Sequence, residues 1–241
     1  MDFSERERKL VDILRQGSRV GMPPLTPLAV EESPFSPGVS SLEFLTGQGF
    51  LISLFHKPDT AKGSAVIWAG GAFGGLNGPA EMLYPTLATR LAGRGVSSLR
   101  IHYRKPNALS DCVFDILLAE EFLRLSKGCD RIVTVGHSFG GGVAIAAAAM
   151  SPKMAGVVAM SPQLDGTQTV EKIAPRPLLL VHGEADPILP ALCSRNIHDR
   201  ARDPKTLVLY PGAGHLLTEC AAELRGLLER WIMETLEGSS P

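Results

Sequence analysis

The chain has 241 residues, 44% of them hydrophobic and 20% charged, which suits one soluble domain with a large core and is too short for two of that size. A net charge of −1 supplies no field to gather nucleic acid or an anionic membrane, so neither partner is expected. No run reaches the ~18 apolar residues of a membrane span, and the charged start Met1–Lys9 lacks the apolar centre of a secretory signal. Cys112, Cys129, Cys193 and Cys220 form no CxxC pair, so reduced thiols in a cytoplasmic protein are expected, without a disulfide framework or zinc site.

In chain order, residues 3–16 set Leu10, Val11, Ile13 and Leu14 among charges, the pattern of a short amphipathic helix. Residues 17–38 contain Pro23, Pro24, Pro27, Pro34 and Pro37 and predict an extended connector. Together these define an arm over residues 1–40, ahead of a main domain over 41–241. The arm has three open roles: wrapping the domain, covering the mouth of a site, or pairing with a second subunit in a homodimer. Ser41–Thr46 and Phe50–Phe55 predict an antiparallel hairpin at a sheet edge. Beyond it, apolar strands are predicted at Ala65–Trp68, Val96–Ile101, Ile132–Val135, Val157–Met160, Leu178–Val181 and Leu207–Tyr210. Helices are predicted between and after them at Ala80–Ala92, Asp111–Leu125, Gly141–Met150, Leu192–Ala201 and Glu219–Leu236. Near-continuous Val, Ile and Leu strands separated by helices imply an α/β architecture: a mostly parallel sheet of about eight strands, covered on both faces. The short gap between the Met160 and Leu178 strands leaves no room there for a sizeable cap domain.

The most specific motif is Gly136-His137-Ser138-Phe139-Gly140, lying between an apolar strand and a Gly/Ala-rich helix. Glycines at both ends relieve crowding where the chain reverses, and the serine at the apex is held in a strained turn above the sheet, over a helix N-terminus. A serine hydroxyl is a poor nucleophile without a neighbouring base. His215, after Tyr210-Pro-Gly-Ala-Gly, is the candidate base, and Asp186, kept extended by Pro187, is the candidate carboxylate that orients it. Glu184 and Asp165 are rivals for that last role. The order Ser, Asp, His along the chain is that of α/β-hydrolases.

Four motifs in this order, Trp68-Ala-Gly-Gly-Ala-Phe-Gly-Gly75, Gly136–Gly141, His182-Gly-Glu-Ala-Asp186-Pro187 and Gly212-Ala-Gly-His215, make residues 64–231 resemble small serine α/β-hydrolases of the dienelactone-hydrolase-like, esterase type. The resemblance implies an α/β-hydrolase fold, a Ser138–His215–Asp186 triad and an acyl-enzyme. It implies an oxyanion hole from the backbone N–H of Phe139 and of Gly71 or Ala72. Relatives often open the Gly-rich loop with His-Gly, whereas this chain has Ala69-Gly70, without that bracing side chain. Read instead as a phosphate cradle, residues 70–78 fit neither GxGxxG nor GxxxxGK[ST]. Dienelactone hydrolases carry a cysteine nucleophile, so Ser138 points to ester or thioester cleavage.

The remaining histidines suggest bracing roles for His137 and His182, a rim position for His102, and surface positions for His56 and His198. None falls at metal-ligand spacing, so neither metal nor cofactor is expected. Ligands bind at the carboxyl ends of parallel strands, which brings Phe73, Leu76, Tyr103, Gln163, Leu164, Ile188 and Leu216 into range as a mainly apolar pocket for a small or medium acyl group. Arg104 and Lys105 are either an anchor for an acidic substrate or a solvated loop. The expected activity is hydrolysis of a small-molecule carboxylic ester. Thioester, amide or carbon–carbon bond cleavage stays open, as does a non-catalytic binding protein on the same fold.

Overall fold

The structure is a computed structural model and describes residues 27–238. Its nine-stranded sheet has the order β1-β2-β3-β5-β4-β6-β7-β8-β9. The first three strands, β1 (Ala29–Ser36), β2 (Val39–Thr46) and β3 (Gly49–His56), form an antiparallel meander that joins β5 (Val96–His102) antiparallel. From β5 onward, β4 (Ser64–Ala69), β6 (Arg131–His137), β7 (Met154–Met160), β8 (Leu178–Gly183) and β9 (Lys205–Tyr210) are parallel. The described helices are α1 (Pro79–Ala92), α2 (Leu109–Lys127), α3 (Phe139–Met150), α4 (Leu192–Arg200) and α5 (Ala221–Glu237). The β7–β8 connection holds only a single 3-10 turn at Val170–Lys172, as the short spacing requires.

Side chains alternate across the strands, so the sheet separates two cores. On β4, Ala65, Ile67 and Ala69 face α2 and α3, while Val66 and Trp68 pack with Leu83, Tyr84 and Leu87 of α1 and Leu228 and Ile232 of α5. Burial on both faces is what the continuous apolar strands demand. At about 25 cal/mol per Å² of apolar surface, this two-sided burial dominates the stability that holds the strand ends in place.

Several expectations change. The predicted amphipathic helix at 3–16 lies outside the described residues. Of the proline-rich connector, residues 27–38 are described, and there Ala29–Ser36 is an edge strand bonded to β2, so the sheet begins before residue 41 and has nine strands. Pro34 fits there because an edge strand leaves one side of its backbone unpaired. In α1, Ala80, Glu81 and Met82 are left-handed (φ 48°, 56° and 66°), so the regular helix starts later than predicted. This turn, disfavoured for residues with a Cβ, is tied down by Ala80 N–H donating to Leu216 O at 2.8 Å.

His56 is buried, not a surface residue: Arg100 Nε donates to its Nε2 at 3.0 Å, and Arg100 Nη1 donates to Leu76 O at 3.0 Å. Burial, then the adjacent Arg100 charge, lowers the His56 pKa to about 4. Nor is Arg104 a solvated residue or a free anchor. Its guanidinium is buried against Asp115, whose other oxygen accepts the Arg104 backbone N–H at 2.9 Å. Lys105 is exposed and pairs with Asp111 at 3.0 Å.

Removing one partner of a buried ion pair strands the other without compensation. Asp115→Asn is therefore expected to lower unfolding stability by about 3–5 kcal/mol, read from urea denaturation midpoints.

Candidate active site

The site forms where β6 runs into α3. Ser138 sits between them at φ 58°, ψ −121°, a region that residues with a Cβ rarely occupy. Two glycines make the turn sterically feasible. A Cβ on Gly136 would lie 1.9 Å from Gly140 O, and one on Gly140 would lie 2.2 Å from Gly70 O. The first contact lets α3 cross over the strand end, and the second seats the turn against the Gly-rich loop. Ser138 N–H donates to Met160 O at 2.8 Å, and Ser138 O accepts from Gly141 N–H at 3.0 Å. Ser138 thus occupies the N-terminal end of α3, which carries partial positive charge, with its side chain making no capping bond there.

His215 and Asp186 arrive from the loops after β9 and β8. These loops pack closely because Gly183 has no side chain: a Cβ there would lie 2.1 Å from Ala213 O. Ala185 N–H donates to Ala213 O at 3.0 Å, fastening one loop to the other. His215 Nε2 stands 3.0 Å from Ser138 Oγ, and its Nδ1 stands 2.7 Å from Asp186 Oδ2. Asp186 Oδ1 accepts the amides of Ile188 and Leu189 at 2.8 and 2.9 Å. Burial would raise the Asp186 pKa, but hydrogen bonds from His215, Leu189 and Ile188 outweigh it and hold the carboxyl below its usual range. The two rivals are engaged elsewhere. Glu184 pairs with Arg195 at 3.2 Å, and Asp165 Oδ1 accepts from Gly166 N–H at 3.0 Å.

Two more histidines surround this line. His182 Nε2 faces two acceptors, Leu189 O at 2.9 Å and Asp186 Oδ2 at 3.2 Å, so it carries the proton. Its Nδ1 then accepts from Ser194 Oγ–H at 2.7 Å. His137 Nε2 donates to the backbone carbonyl of His215 at 2.9 Å, and the two rings lie 4.8 Å apart. Burial is the main cause that lowers both pKa values, that of His137 to about 4. Among the described residues, no three His, Cys, Asp or Glu side chains gather as a metal site.

The Gly-rich loop is braced by side chains from α1, from the end of β5 and from the residue that follows it, in place of the histidine that relatives often use. Tyr84 Oη donates to Ala69 O at 2.8 Å and Tyr103 Oη to Gly70 O at 3.2 Å. Gly75 N–H donates to His102 Nδ1 at 3.3 Å. Gly71 and Gly74 form an antiparallel bridge, which engages the Gly71 amide, whereas the amides of Ala72 and Phe139 have no protein acceptor among the described residues.

A cleft of about 530 Å³ joins these parts, with Ser138, His137 and His215 among its lining. Phe73, Leu76, Ile188 and Leu216 line it, together with Asn77 and Pro79, which sequence reasoning missed. Tyr103, Gln163 and Leu164 do not. Tyr103 is buried behind the loop, Gln163 folds back to Asp165 O, and Leu164 is exposed outside the cleft.

These features define the class. A parallel sheet with a serine at a strand–helix elbow, faced by histidine and aspartate loops from later strands, is an α/β-hydrolase. The chain belongs to the dienelactone hydrolase family, whose model matches residues 104–224. It is 31% identical over 202 residues to the uncharacterized protein Rv2307c of Mycobacterium tuberculosis, covering 70% of each chain. Solved structures share the fold. A dienelactone hydrolase from Anabaena variabilis superposes with TM-score 0.71 at 20% identity, over 86% of this chain and 99% of that one. The α/β serine hydrolase without lid XC6422 from Xanthomonas campestris gives 0.68 at 20% identity, over 87% and 100%. Est1E from Butyrivibrio proteoclasticus gives 0.69 at 17% identity, over 82% and 99%. Among the described residues, no helix is long and apolar enough to cross a membrane.

The buried neutral histidines predict acid sensitivity. Unfolded histidine titrates near 6.5, whereas His56 and His137 titrate near 4 in the fold, so the unfolded chain binds more protons between these values. Stability is therefore highest above pH 6.5 and falls as pH drops toward 4, by up to about 1.4 kcal/mol per pH unit for each histidine. Urea titrations at stepped pH check this, and Phe in place of His56 flattens the slope.

Proposed function

We propose that this protein hydrolyses carboxylic esters with a small or medium acyl group through an acyl-enzyme on Ser138. The observation that carries the reading is the continuous line Ser138 Oγ–His215 Nε2 (3.0 Å) and His215 Nδ1–Asp186 Oδ2 (2.7 Å), whose Ser138 and His215 line a mainly apolar cleft. In this reading His215 Nε2 takes the hydroxyl proton as Ser138 Oγ attacks the ester carbonyl. The tetrahedral oxyanion accepts hydrogen bonds from the Phe139 amide and from that of Gly71 or Ala72, of which those of Phe139 and Ala72 have no protein acceptor among the described residues. His215 then gives its proton to the departing alcohol oxygen as the C–O bond breaks, leaving the acyl group on Ser138. Water repeats the sequence: His215 takes its proton, hydroxide oxygen adds to the acyl carbon, and the proton returns to Ser138 Oγ as the carboxylic acid leaves.

Asp186 stays ionised throughout. Its carboxyl is held below the usual range, and its charge stabilises the imidazolium that forms at each proton transfer. Phe73, Ile188 and Leu216 offer the acyl group apolar contact, and among the described residues no Lys or Arg lines the cleft to select a carboxylate.

Turnover of p-nitrophenyl acetate and butyrate tests the reading. Ser138→Ala is expected to lower kcat by at least about 10³-fold, and Asp186→Asn by about 10³–10⁴-fold with little change in KM. Equal rates for wild type and Ser138→Ala would refute it.

A further inference from the structure

The carbonyl and ring of His215 are held by two consecutive residues. Ser138 faces the imidazole at 3.0 Å, while His137 Nε2 donates to the same residue's backbone carbonyl at 2.9 Å. The result is a short closed circuit: main chain from 137 to 138, side chain to ring, ring to carbonyl, and carbonyl back to the side chain of 137. No other described group donates to that carbonyl. Around it the loop is fastened by Gly214 N–H to Glu219 Oε2 at 3.1 Å, Leu217 N–H to Gly214 O at 3.1 Å and Ala80 N–H to Leu216 O at 2.8 Å. Those contacts hold the loop's flanks; on His215 itself, Asp186 holds the ring and His137 holds the backbone carbonyl.

We propose that His137 is a positioning residue: its Nε2–H bond to the His215 carbonyl fixes the distance and angle between His215 and Ser138. The inference rests on the esterase reading for its kinetic consequences, but the geometry stands apart from it. The ring packs at 52° against the His215 ring, 4.8 Å between centroids, and so limits swing of the imidazole away from Ser138. The proton must sit on Nε2 because a carbonyl only accepts. The titratable groups that face His137 are His215, Asp186 and His182. A second positive charge there would repel the imidazolium of His215, and burial keeps His137 neutral. Misplacing a general base by an ångström can cost about 10²-fold in rate.

Glutamine can bring an N–H donor to the place of histidine Nε2, whereas leucine keeps bulk without a donor. His137→Leu is expected to lower kcat about 10–100-fold with KM within about twofold, and His137→Gln to recover most of the loss. A second readout needs no turnover: the low-field proton NMR signal of His215 Nδ1–H. It is expected sharp in wild type and His137→Gln and broadened by exchange in His137→Leu. Should His137→Leu not fold, His137→Asn, whose amide falls short of the carbonyl, takes its place with the same expected loss. Wild-type kcat and a sharp signal in the donorless variant would overturn the proposal. So would a glutamine variant as impaired as leucine, or one as inactive as Ser138→Ala with the signal intact. Failure of the esterase reading is separate: wild type would then show no turnover that depends on Ser138, and the signal would still decide the role of His137.

Discussion

The tightest constraint in this structure is the near-contact of backbone with backbone at Gly136 and Gly140. Positions where a Cβ would fall 1.9 and 2.2 Å from carbonyl oxygens admit only glycine. They allow β6, α3 and the Gly-rich loop to meet at one point, which drives Ser138 to φ 58°. Such a conformation costs about 1–3 kcal/mol and survives only where its surroundings over-determine it. Here the surroundings are a buried strand on one side, a buried helix on the other, and the Ser138 N–H bond to Met160 O. Everything else at the site is arranged around a hydroxyl whose position the turn leaves little freedom to change.

Charge is confined in the same way. Three imidazoles lie close to one carboxylate, yet that carboxylate is satisfied by two amides, His215 and His182. His182 and His137 are each committed to an acceptor through Nε2–H, and burial disfavours their protonation. A negative Asp186 thus faces one imidazole that is free to exchange a proton with Ser138. An arrangement with a second charged histidine would weaken the base that the proposed chemistry needs.

Much of this could be read from the sequence because its signals are local. The Gly136–Gly140 turn, the apolar strands and the loops that bring Asp186 and His215 back over the sheet each depend on a few neighbouring residues. What escaped depends on partners distant in the chain. His56 looked like a surface residue because Arg100, 44 positions away, is what makes its burial tolerable. Arg104 looked like a loop cation because nothing local marks Asp115, on the next helix, as its partner. Pro34 hid an edge strand, since proline argues against a strand only where both sides must pair. In the cleft, Tyr103 was expected at the lining because it follows a strand, but its hydroxyl holds Gly70 O from behind. The brace that the Gly-rich loop lacks in its own sequence is supplied from elsewhere by Tyr84, Tyr103 and His102.

Intact-mass analysis after exposure to a fluorophosphonate tests most directly whether the elbow hydroxyl is an activated nucleophile. The account predicts a single adduct, mapped by peptide digestion to Ser138 and absent from Ser138→Ala. A folded wild-type protein that stays unmodified, or an adduct that persists undiminished in Ser138→Ala, would contradict it.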